Sequence, residues 1–119
     1  MRGPAARRRA TVQRGAGAEA AVALWLEAQG WAVLARNWRI EGGELDLIVA
    51  RAGMLRFVEV KARASGTVDP MAALGPAQQH RLRRAAEAWL VGHPGPWAEM
   101  AFAVAFVDDG GLVYVDDAF

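Results

Sequence analysis

The chain has no cysteine and only two histidines, His80 and His93, among its 119 residues. A disulfide scaffold, thiol catalysis and cysteine-ligated zinc are therefore excluded, and the composition suits a reducing cytosol. A histidine-rich metal centre is excluded as well. Any metal site must rely on carboxylates, which favour hard cations such as magnesium. Lysine is almost absent: thirteen of the fourteen basic residues are arginine, and Lys61 stands alone. The apolar run 20–26 behind Arg7, Arg8 and Arg9 is too short to span a bilayer, and Arg14 and Glu19 interrupt its approach. We expect a cytoplasmic protein with no membrane partner.

Hydrophobic residues make up 54% of the chain and charged residues 23%, enough for one packed core. The net charge of +1 hides an asymmetry, because Arg2, Arg7, Arg8, Arg9 and Arg14 lie at the start with no acid among them. Residues 1–13 read as a flexible basic arm, either a solubilising terminus or a segment that touches phosphate backbone. Residues 14–119 read as a single domain. Its pattern predicts a helix to about Gln29, with Ala20, Ala23, Leu24 and Glu27 near one side and Val22, Trp25 and Leu26 extending the apolar surface. Gly30 is its stop. Strands follow over Trp31–Trp38, Gly43–Ala50 and Met54–Ala62, then a loop over 64–75. A second helix over Pro76–Val91 turns Leu82, Ala85, Ala86, Trp89 and Leu90 inward. A hairpin of Met100–Val107 and Leu112–Val115 closes the order α-β-β-β-α-β-β.

The segment from Gly43 to Lys61 carries the chemistry. A two-residue turn at Ala52 and Gly53 would set Arg51 opposite Met54, Ile48 opposite Phe57 and Leu47 opposite Val58. Continued, that register sets Asp46 opposite Glu59 and Glu44 opposite Lys61. All four charged side chains then project from one side. Leu45, Leu47, Val49, Val58 and Val60 would line one face, and Ile48, Ala50, Leu55 and Phe57 the other. Strands apolar on both faces are covered on both, so the charges mark one end of a covered sheet, where a cleft can lie. Like charges opposed across a ladder are destabilising. Burial sharpens the repulsion and raises one carboxyl pKa, and a divalent cation relieves it.

The lone lysine is a second clue. Lysine is a compact point charge, whereas arginine is a planar fork. An ammonium at residue 61 can orient an attacking water, stabilise hydroxide or offset charge on a phosphorane. A purely structural arrangement accounts for the same residues: a Glu44–Lys61 cross-strand pair, a solvated Asp46, and Glu59 paired with Arg63 or Arg36.

Taken together, Gly17 and Glu19, then Arg36, Asn37, Trp38 and Arg39, then Gly43, Glu44, Asp46 and Ile48, then Phe57 to Lys61 with Arg63, and the terminal Ala118 and Phe119 resemble the YraN-like family. These small bacterial proteins are grouped with the PD-(D/E)XK, Holliday-junction-resolvase-like endonucleases, and the likeness runs from about Gly15 to Phe119. It implies an α/β restriction-endonuclease-like fold, an α-β-β-β-α-β core whose mixed central sheet is flanked by helices. It implies that Asp46, Glu59 and Lys61 are catalytic and that Asp46 and Glu59 hold Mg²⁺ or Mn²⁺, with Glu19 as a further ligand. The other reading of Glu19 is an acid favoured by the helix dipole. Arg36, Asn37, Arg39 and Arg63 would contact the nucleic acid; alternatively Arg36 and Asn37 cap the sheet end. The chain departs from the family where Gln78 replaces a usual lysine, where Ala101, Phe102 and Ala103 replace Arg-Phe-Asp, and at Asp117.

Trp38, between two arginines, is the best base-stacking candidate; three of the five tryptophans lie at helix or strand positions expected to face the core, so core packing is the favoured reading. His80 and His93 read as surface residues. Arg81, Arg83 and Arg84 form a basic helix face, either solvated or in contact with nucleic acid. The expectation is a Mg²⁺-dependent endonuclease acting on DNA, including branched DNA, with a homodimer as a compatible assembly. The rivals are a nucleic-acid-binding protein that keeps this fold without turnover, and an interaction or scaffold protein.

Overall fold

The computed structural model describes residues 6–11, 17–62, 69–109 and 111–119. Arg63, Arg2 and Arg14 lie outside the described residues. Among those described, the elements run β1 (Ala6–Thr11), α1 (Ala18–Ala28), β2 (Ala32–Ile40), β3 (Gly43–Arg51), β4 (Met54–Ala62), α2 (Pro70–Ala73), α3 (Pro76–Gly92), β5 (Glu99–Asp108) and β6 (Gly111–Asp116). The strands form one sheet in the order β1-β6-β5-β4-β3-β2. The β4–β5 pair is parallel and the other neighbouring pairs are antiparallel. With helices on both faces, this is the mixed α/β architecture of a restriction-endonuclease-like core.

Each boundary has a local cause. Helix α1 ends where Gly30 takes a left-handed φ of 93°. The Gly30 N–H then donates to the Glu27 carbonyl and the Trp31 N–H to the Leu26 carbonyl, a Schellman closure. The closure also delivers Trp31 onto Leu26 in the core. Between β3 and β4, Ala52 and Gly53 both have positive φ, 49° and 79°, which is the backbone of a type I′ hairpin turn. Pro76 opens α3 with the φ a first turn needs.

Two cores sandwich the sheet. Helix α1 covers one face through Val22, Ala23 and Leu26, against Leu47, Val49, Val58, Ala103 and Ala105. Helix α3 covers the other through Leu82, Ala85, Ala86 and Trp89, against Ile48, Leu55, Phe57, Val104 and Phe106. The inward face of α3 is the expected one. On α1 the inward face is narrower than expected, since Ala20, Leu24 and Glu27 are exposed.

Three expectations are corrected here. Residues 6–11, assigned to a flexible arm, form edge strand β1 along β6. Part of the expected 64–75 loop is helix α2. Leu45, placed with Leu47, packs instead with the α3-side core beside Ile48. The strict alternation of β3 therefore breaks between Leu45 and Leu47. The β2 strand breaks in step: Asn37, between the paired residues Arg36 and Trp38, has a left-handed φ of 49°. Ala35 and Trp38 consequently pack on the same side. The residue caught at this break on β3 is Asp46.

Candidate functional site

The β3–β4 ladder follows the expected register from Arg51↔Met54 to Leu47↔Val58, and there it stops. Asp46 and Glu59 are not a ladder pair, and neither are Glu44 and Lys61. The strands fork instead, and the Asp46 side chain enters the fork. Its Oδ2 accepts a hydrogen bond from the Val60 backbone N–H at 2.7 Å. A side chain thus replaces the backbone partner that Val60 loses, since buried amides must be satisfied. The fork opens a cleft of about 310 Å³ lined by Gly43, Glu44, Asp46, Glu59, Gln78 and Arg81. Gly43 allows α3 to approach this closely: a Cβ there would lie 2.7 Å from the Arg81 carbonyl oxygen.

Inside the cleft the Asp46 and Glu59 carboxyls are close enough to share a proton. Burial, then the neighbouring Asp46, pushes the Glu59 pKa from 4.5 up to about 8; Lys61 and Gln78 pull it back. Lys61 Nζ lies 3.8 Å from Glu59 Oε2. The Gln78 side-chain amide donates to the same oxygen at 2.9 Å. From α1, Glu19 also reaches the Asp46 carboxyl, and its pKa is raised by burial and then by Asp46. Glu19 Oε1 is shut off from solvent with no hydrogen-bond partner. Arg36 lowers the Glu19 pKa and so stands near it. Arg39 pairs with Glu44 at 3.3 Å, mostly in solvent, and such a pair contributes little stability.

The fold thus brings Glu19, Asp46, Glu59 and Lys61 together, with Arg36, Asn37 and Arg39 on the adjoining edge strand. The structural alternative for these residues is corrected in its details. Glu44 takes Arg39 rather than Lys61, Asp46 is half-buried rather than solvated, and Glu59 takes Lys61 and Gln78. Trp38 is not a free stacking surface. It is half-buried and its Nε1–H donates to the Ala85 carbonyl at 3.2 Å, pinning β2 to α3. Gln78, read only as a missing lysine, belongs to the site. It sits one turn before the inward Leu82 and shares its helical face, which was the signal available in the sequence. Arg81, from the basic face of α3, also lines the cleft, whereas Arg83 stacks over Phe102 and Phe119. His93 stacks on Trp89 at the end of α3.

Among the described residues, no three His, Cys, Asp or Glu side chains form a ready-made metal cage. The donor set still fits a hard cation. All of its donors are oxygens, Glu19 has an orphaned buried oxygen, and the Asp46–Glu59 repulsion is relieved by positive charge. Mg²⁺ commonly takes one or two carboxylates and completes its shell with water and phosphate.

A mixed sheet between two helices, forked around an aspartate and an E-x-K strand, defines a restriction-endonuclease-like α/β protein. The sequence profile of Uncharacterised protein family UPF0102 matches residues 18–107. A UPF0102 protein of Synechococcus sp. (strain JA-3-3Ab) is 49% identical over 98 residues, covering 79% of this chain and 74% of that protein. One from Halorhodospira halophila is 42% identical over 120 residues, covering 100% and 97%. One from Methylorubrum extorquens is 50% identical over 92 residues, covering 76% and 70%. The chain belongs to the UPF0102 family, which is the YraN family of the restriction-endonuclease-like superfamily.

Proposed function

We propose that this protein is a Mg²⁺- or Mn²⁺-dependent endonuclease that hydrolyses phosphodiester bonds in DNA, with branched DNA among its substrates. The observation that carries the reading is the pair of crowded carboxyls, Asp46 and Glu59, held at a strand fork with the only lysine 3.8 Å from one of them. Crowding of this kind costs stability, which is expected of a site kept for function. Asp46 and Glu59 would hold the cation, with Glu19 supporting Asp46. The cation, when bound, polarises the scissile phosphate and acidifies water. Lys61 directs an ammonium at the reacting phosphate and orients the water. Arg81 lies at the cleft wall, and Arg36 and Arg39 on the edge strand, where they can meet flanking phosphates. The reading extends to a cytoplasmic protein, and to a homodimer if the substrate has two-fold symmetry.

A second reading keeps DNA binding and drops turnover. It is favoured by the Gln78 amide, which occupies an oxygen of Glu59 that a cation would need. The deciding experiment pairs Mn²⁺ titration calorimetry with cleavage of linear and branched DNA in Mg²⁺. The nuclease reading expects one cation site, lost in Asp46→Ala, and Mg²⁺-stimulated cutting. Below about pH 8, affinity should rise roughly tenfold per pH unit as Glu59 gives up its proton. Binding to DNA without cutting supports the second reading. No DNA affinity even at low salt leaves an interaction or scaffold role.

A further inference from the structure

A second cleft, with a mixed polar and apolar lining, lies far from the fork. It is on the α1 side of the sheet, beside the β3–β4 turn, about five strand residues or roughly 17 Å from Asp46. Its volume is about 130 Å³, and its polar lining includes Arg8, Gln29, Trp31, Arg51 and Tyr114. The volume is enough for a small ion with some solvent.

The charge here is positive and in part unspent. Asp116 also lines the cleft, but the Arg56 guanidinium grips it at 2.6 and 3.2 Å. That acid is paired, although its charge still bears on the Tyr114 hydroxyl. Arg51 donates to the Gln29 carbonyl at 2.7 Å, and Arg8 to the Gln29 side chain at 3.3 Å. A guanidinium has five N–H donors, and among the described residues neither Arg8 nor Arg51 has an acidic partner. Trp31 is fixed by the Schellman closure and lies under the guanidinium of Arg51 at 4.5 Å, which holds that fork in place.

The Tyr114 hydroxyl is the independent sign of a ligand. The residue is 5% exposed, it lines the cleft, and its oxygen is buried with no hydrogen-bond partner. Buried hydroxyls are ordinarily satisfied. Burial holds its pKa well above the ordinary value, so it remains a donor at physiological pH. Two arginine forks and a phenol, all donors, line a small cavity whose one carboxylate is already paired.

We propose that this cleft binds a phosphate monoester or free phosphate, through Arg8, Arg51 and the Tyr114 hydroxyl. The site is separate from the forked cleft and does not depend on the nuclease reading. Bidentate arginine recognition and a hydroxyl donor suit a tetrahedral oxyanion. The cleft is open on the side of Arg8, which is exposed, so a larger group on the phosphate can extend into solvent there.

The test is titration of the full chain with inorganic phosphate, followed by tryptophan fluorescence, because Trp25 and Trp31 line the cleft. A saturable change is expected with half-saturation at or below about 1 mM, displaced by sulfate and not by chloride. Tyr114→Phe keeps the ring packing and should weaken binding about tenfold. Arg8→Gln, on an exposed strand, should weaken it by a similar factor with an unchanged melting temperature. No saturable response to phosphate overturns the proposal, as does equal affinity in both variants. A 5′-phosphorylated dinucleotide and its unphosphorylated twin then name the source. Competition by the phosphorylated form alone assigns the site to nucleic-acid ends, and failure of both to compete assigns it to small free phosphates.

Discussion

At the turn end of the β3–β4 hairpin, Arg56 is buried yet fully engaged. It donates to Asp116, Glu99 and the Leu55 carbonyl. Burial alone would lower its pKa, but the two carboxylates outweigh that and raise it. At the forked end, Asp46 and Glu59 crowd together, and Glu59 is driven up to about 8 with one lysine at 3.8 Å. The same two strands thus carry a fully compensated charge at one end and a crowded, only partly compensated carboxyl pair at the other. A compensated charge holds the fold, tying β4 to β6 across β5. A crowded pair is held by the fold against its own preference, which is where chemistry is to be sought.

The widest separation between the ends should come from Lys61→Ala. Under the nuclease reading it lowers cleavage about a thousandfold, the scale of losing one electrostatic group at a reacting phosphate. The melting temperature should stay within a few degrees, as read by circular dichroism. Arg56→Met should do the reverse. Losing the guanidinium's hydrogen bonds to the partly exposed Asp116 and Glu99 should cost about 1–2 kcal/mol in urea unfolding, with Mn²⁺ affinity at the fork unchanged in the folded protein.

Smaller effects follow from the Glu59 pKa. Below its ordinary 4.5 the carboxyl is protonated in both folded and unfolded chains, so burial costs nothing. Between 4.5 and about 8 the unfolded chain gives up the proton while the folded one keeps it, and stability falls as pH rises. Above about 8 the loss is complete. Glu59→Gln should therefore match the parent near pH 4 and melt higher at pH 8, by at least several degrees. The smallest expected change is in Gln78→Leu. Removing its donated hydrogen bond should move the Glu59 titration further upward, measurable by carboxyl carbon NMR. A downward shift would break the contrast between the two ends.

Much of this is legible in the sequence. Ala52 and Gly53 allowed one tight turn, and the turn fixed the pairing down to Leu47 and Val58. Pro76 and the spacing of Leu82, Ala85, Ala86 and Trp89 fixed α3. What escaped is non-local. The fork depends on the Asp46 side chain capturing the Val60 N–H, a contact that alternation cannot foresee and that the positive φ of Asn37 accompanies. Gln78 meets Glu59 only because α3 folds back over the strand. Arg7, Arg8 and Arg9 looked like a solvated tail because the β6 edge that orders them lies some hundred residues away. Among the described residues, no helix is long and apolar enough to cross a membrane, as the short apolar run implied.

The parallel β4–β5 seam has a consequence for assembly. Asp46, Glu59 and Lys61 all lie in the β2-β3-β4 meander, whose contacts are close in sequence and form early. Gln78 and Arg81 arrive only when the chain has crossed over through α3 and joined β5 beside β4, about forty-five positions downstream. The acidic half of the cleft is thus expected to form before its helical wall. A nascent chain would hold bare carboxylates until the crossover closes, so the complete cleft should appear only with the final docking of α3.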